Sequence, residues 1–137
     1  MPKSTNTCNS ILALIFNATA WADIAENDTS APAANLYVSL HTADPGIGGA
    51  QTTNETAYTN YARVAVARTN VGWSVPASGA TANAALVQFP QCGASGATIT
   101  HVAIGTASGG AGTVLYAGAL NSSLAVANLI QPQFATG

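Results

Sequence analysis

The chain has 137 residues, one domain's worth, of which 48% are apolar and only 6% charged. Ordinary soluble domains carry about 25% charge. Three Lys and Arg against five Asp and Glu give a formal net charge of −2, which leaves no basic face for nucleic acid and no charge-driven disorder, and favours association.

Lys3, the apolar run 11–16 and Ala18-Thr19-Ala20 have the outline of a signal peptide. One Lys and the flanking Asn6, Asn9 and Asn17 argue against a leader, and no run approaches the ~20 apolar residues of a membrane span. Instead Ile11, Leu14, Ile15, Ala18, Trp21, Ala22 and Ala25 recur at three- and four-residue steps. That spacing predicts a helix over 10–25, preceded by an arm over 1–9. Asp23, Glu26 and Asp28 oppose the helix dipole at its end, so the helix should fray there, and 27–32 reads as a loop.

From Asn35 the period becomes two. Leu36, Val38 and Leu40 face one way, and Tyr37, Ser39 and His41 form a polar outer face. Asp44-Pro45-Gly46 forces a turn, and a polar, aperiodic loop over 42–60 follows. Strands are then expected over 61–68, 71–75, 84–89, 98–104, 113–120, 123–126 and 129–134, separated by Gly-, Ser- and Pro-rich turns. Eight short strands with brief connections predict one all-β domain over 1–137. Its sandwich, over 35–134, is antiparallel, a jelly roll carrying one N-terminal helix.

The inventory for chemistry is thin. Ser39, His41 and Asp44 lie too close along one strand to make a nucleophile, base and orienter, so no catalytic residues are assigned. His101 reads as a hydrogen-bonded histidine of the sheet. Asp44 and Glu55 alone make a weak calcium site, and two histidines a weak zinc site, so neither metal nor cofactor is expected. Cys8 and Cys92 read as two free thiols. Arg63 and Arg68 fall on opposite faces of one strand, where either could pair with Glu55 or Asp44, pair with an acid on a partner, or stay exposed and solvated. Trp73 reads as core. The expected partner surface comprises Trp21, Asp44, Glu55, Tyr58, Tyr61 and Arg63, since aromatic residues and Arg anchor interfaces.

The block Leu36-Tyr37-Val38-Ser39-Leu40-His41-Thr42-Ala43-Asp44-Pro45-Gly46 carries a resemblance. It is joined by Tyr61-Ala62-Arg63-Val64-Ala65-Val66, Trp73, Gln88-Phe89-Pro90, Ile99-Thr100-His101-Val102-Ala103-Ile104-Gly105 and Leu115-Tyr116-Ala117-Gly118-Ala119-Leu120. Together they resemble a family of small structural proteins of tailed bacteriophages. Some of its members are capsid cement, or decoration, proteins with a jelly-roll fold; others are tail-fibre or minor tail proteins. The resemblance implies a non-enzymatic virion component made in the bacterial cytoplasm. It would sit on the capsid surface as a homodimer, bridging subunits of the major capsid protein. The alternative it leaves open is a tail-fibre or tail-tip module binding host-surface glycan.

Overall fold

The computed structural model describes residues 3–21, 24–25 and 32–137, and among them the fold is mostly β: one helix and six strands. The chain divides into two compact units. One comprises Met1–Asn35, Val66–Leu86 and Ala135–Gly137; the other comprises Leu36–Ala65 and Val87–Phe134.

In the first unit, helix α1 spans Thr5–Phe16, earlier at both ends than the apolar periodicity over 10–25 predicts. Most of the expected arm is therefore helical. The cause is capping. Ser4 holds an extended backbone, and its hydroxyl accepts from the Thr7 amide at 3.1 Å, satisfying a first-turn donor that the helix leaves open. At the other end Ala18 adopts φ +51, which turns the chain out of the helix although the apolar pattern continues. Asp23, Glu26, Asp28 and most of the expected loop at 27–32 lie outside the described residues.

The last turn carries no basic residue of its own, and a distant one fills the role. Arg68 donates from Nη2 to the Leu14 carbonyl and from Nε to that of Ile15, both at 2.7 Å. Its Nη1 donates to the Ala33 carbonyl at 2.8 Å. A cation at a helix C-terminus is favoured by the dipole, and the last turn of a helix generally leaves its carbonyls in need of outside donors. Beside this cap Phe16 is buried against Trp73, their ring centroids 4.7 Å apart and edge-to-face. Trp73 is core, as expected. No strand forms over 71–75, because the Thr69 carbonyl takes the amides of both Gly72 and Trp73 and closes a turn. A side chain at Gly72 would strike the Ala67 carbonyl, so this reversal requires glycine.

The second unit holds most of a four-stranded sheet in the order β2-β1-β4-β5. Its strands are β1 (Asn35–His41), β2 (Val64–Ala67), β4 (Ala97–Gly105) and β5 (Val114–Val126). A two-stranded sheet pairs β3 (Val87–Gln88) with β6 (Gln133–Phe134). The β1–β4 and β4–β5 pairs are antiparallel, β1 in register Val38↔Ile104 and Leu40↔Val102. The antiparallel all-β class is the expected one, but six strands stand where eight were counted. The segments 113–120 and 123–126 are one strand, joined through a bulge in which four residues of β5 oppose Thr100 alone. Pro90 and Pro132 lack the amide a ladder needs, which keeps β3 and β6 to two residues each.

The core of this unit is built from Leu36, Val38, Leu40, Ile99, Ala103 and Phe89. Phe89 is fully buried and edge-to-face with Phe134 at 6.1 Å, while Tyr61 stacks parallel to it at 6.4 Å.

Candidate functional site

The chemistry-bearing side chains of the second unit converge where the loop over 42–63 folds back on the end of β1. The loop opens with the Asp44 turn: its Oδ1 accepts from the Gly46 amide at 2.8 Å, and Gly46 takes φ +73. It returns along β1, with the Thr42 amide donating to the Asn54 carbonyl and the Thr56 amide to that of Leu40, each at 2.9 Å.

This return covers the face that alternation predicts to be outer and polar. Ser39 and His41 are fully buried, a correction to the half-buried strand expected from sequence. The Thr53 carbonyl, only an acceptor, lies 2.9 Å from His41 Nδ1, so that nitrogen carries the proton and donates. Nε2 then accepts from the Ser39 hydroxyl at 2.9 Å. Burial, only partly offset by the Thr53 bond, pushes the His41 pKa below its usual value and keeps the ring neutral. With no solvent access, the pair locks the loop to the strand and is not a nucleophile and base.

Glu55 is the hub of the loop. Arg63 grips it bidentately, Nε to Oε1 at 2.6 Å and Nη2 to Oε2 at 2.7 Å. Tyr61 donates to the same Oε1 at 2.8 Å while accepting from the Leu40 amide. The guanidinium also donates to the carbonyls of Ala107 and Gly110, tying in the glycine-rich turn that precedes β5. The Arg63 side chain is 3% exposed and that of Glu55 14%. The hydrogen bonds to Glu55 raise the Arg63 pKa further, so its charge persists at every accessible pH. Burial, then Glu55, raises that of Tyr61, and burial pushes Tyr58 up to about 12.

Beside the hub, fully buried Gln51 accepts from the Ala107 amide through Oε1 at 2.9 Å. Gly105 and Gly112 close around its side chain so tightly that a Cβ at either position would overlap it. No local sequence signal announces this cradle, because its three members come from separate loop and strand positions.

Of the residues expected to meet a partner, Glu55, Tyr61 and Arg63 come together, but they face one another. Tyr58 is buried edge-to-face on Tyr61, and its hydroxyl donates to the Pro90 carbonyl at 2.9 Å. Asp44 remains exposed, and Trp21 belongs to the other unit at intermediate exposure. Near Asp44, sequence reasoning passed over the exposed Ile47. Ile47 is fully exposed and Tyr116 is 41% exposed. Between them an open groove of about 340 Å³ runs along β5, lined by Asp44, Ile47, Leu115, Tyr116 and Ala117 among others. Cys8 and Cys92 are free thiols, and among the described residues no cluster of His, Cys, Asp and Glu could hold a metal ion.

Residues 2–137 match the model of a protein family described as podophage GP4 fiber I protein gp80. No curated protein matches the chain.

Proposed function

Since the chain belongs to the podophage GP4 fiber I protein gp80 family, it is a structural component of a phage virion, and we propose that it works there as a non-enzymatic packing subunit, a cement or decoration protein bridging major capsid subunits at the capsid surface. The observation that carries this reading is the distribution of charge. From Thr69 to Gly137 there is no Asp, Glu, Lys or Arg. Such a surface is wetted by amides and hydroxyls alone and is cheaply desolvated against a neighbour, whereas a charged one resists burial.

The partner surface in this reading includes the exposed part of the loop, Asp44 and Ile47; Trp21 offers a separate contact on the other unit. Glu55, Tyr61 and Arg63 hold that loop in shape. Many weak contacts repeated over a particle suffice for stable attachment through avidity.

A second reading is a fibre component that binds host-surface glycan; its support is the word fiber in the family's description. Electron microscopy of purified particles carrying an epitope tag on this protein separates the two. Label distributed over the head supports the cement role, and label confined to the tail supports the fibre role. Particles without label overturn both.

A further inference from the structure

We propose that a second copy of this chain pairs with the outer edge of β5, antiparallel and about a two-fold axis at Gly118, so that the groove beside Tyr116 receives Leu120 of the second copy. The inference stands on the strand itself and holds whichever part of the particle the subunit occupies.

β5 ends the sheet, and the loop bridges the chain just before this strand begins, at Ala50 and Thr113. Beyond that point the loop turns away, the Gly49 amide bonding back to the Gly46 carbonyl, and the groove opens. Among the described residues no hydrogen bond outside the sheet ladder engages residues 117–126. An edge of this kind offers every second amide and carbonyl to another strand.

Natural edges are protected by charge, proline or bulges. β5 has neither charge nor proline, and its two bulges lie at Leu115 and at 120–123, which leaves the run 116–119 between them open. Its centre reads Tyr116-Ala117-Gly118-Ala119-Leu120, nearly symmetric in bulk about Gly118. Residues 117–119 are all exposed, and nothing lies within 4 Å of where a Cβ on Gly118 would stand. Glycine in mid-strand weakens a sheet, but it suits a place where another backbone approaches closely.

These features select a second copy as the occupant. The pairing needs an uncharged, unprotected strand, and this chain supplies one. Antiparallel pairing about Gly118 sets Ala117 opposite Ala119 of the second copy and Tyr116 opposite Leu120. Each is a cross-strand neighbour pair, the latter aromatic on aliphatic. The contact is isologous and closes at two subunits.

Light scattering and sedimentation of the purified full chain provide the test. The wild type should be a dimer. The double variant Ala117→Lys, Ala119→Lys sets Lys opposite Lys twice and should weaken dimerisation roughly thirtyfold. Ala117→Lys, Ala119→Glu sets opposite charges face to face in the same register and should restore the dimer. All four substitutions point to solvent in the monomer, so circular dichroism and melting should be unchanged. Gly118→Cys, with the wild type as control for Cys8 and Cys92, should form a covalent dimer on mild oxidation. A monomeric or trimeric wild type, a dimer that persists with Lys at both positions, or no rescue by the opposite-charge pair overturns the proposal.

Discussion

Replacing Glu55 by Gln removes one charge from the hub while keeping its shape. The carboxylate accepts three bonds, from Arg63 Nε, Arg63 Nη2 and the Tyr61 hydroxyl. Gln presents one acceptor oxygen, and its NH₂ group points a donor at a guanidinium that consists of donors and accepts nothing. Arg63 stays charged, and its side chain is 3% exposed. Removing one partner of a buried pair typically costs about 3–5 kcal/mol, whereas an exposed pair is worth about 0–1 kcal/mol. Two neutral carbonyls, Ala107 and Gly110, remain for Arg63, so the lower end, about 3 kcal/mol, is expected. At roughly 3–4 °C per kcal/mol for a chain of this size, melting should fall by about 10 °C. Urea unfolding measures the loss directly, and repetition in about 1 M salt, where the Debye length is ~3 Å, tests whether the pair is buried. A loss below about 1 kcal/mol, or one that salt abolishes, would refute the hub as the fastener of the loop.

Arg68→Met keeps the aliphatic stem but leaves the Leu14 and Ile15 carbonyls without their donor, and should cost about 1–3 kcal/mol with fraying of α1 visible by far-ultraviolet circular dichroism. Gly105→Ala pushes a methyl into Gln51 and should destabilise by about 1–3 kcal/mol; adding Gln51→Ala should recover part of that loss, which thermal melting of the two variants will show. The unfolded chain protonates His41 near the ordinary value of 6.5, and the folded chain only at lower pH. Stability should therefore be full above about pH 6.5 and fall as pH drops towards the folded value, by at most about 1.4 kcal/mol per pH unit. Urea midpoints measured across pH 5–8 should show this slope, and His41→Gln, although less stable at neutral pH, should flatten it.

The class of fold was legible because alternation is a local property: Leu36, Val38 and Leu40 mark β1 whatever packs on them. The short supply of charge likewise needs no structure to be seen. The outer face of β1 was misread for the same reason. Ser39 and His41 look like a solvated face because they are polar and alternate with apolar Val38 and Leu40, and the return of residues 53–56 buries them. Helix α1 was placed too late because periodicity registers the apolar face but not the cap at Ser4 or the reversed φ at Ala18.

Composition and spacing thus determined a charge-poor antiparallel β protein with one N-terminal helix. Tertiary structure decided which of the few charges are internal. Arg63 and Glu55 are eight residues apart in sequence, and Arg68 lies more than fifty from the carbonyls it caps. An ion pair or a cap forms wherever folding brings donor and acceptor within about 3 Å. With so few charges in the chain, that placement alone separates the residues that fasten the loop and helix from those left at the surface.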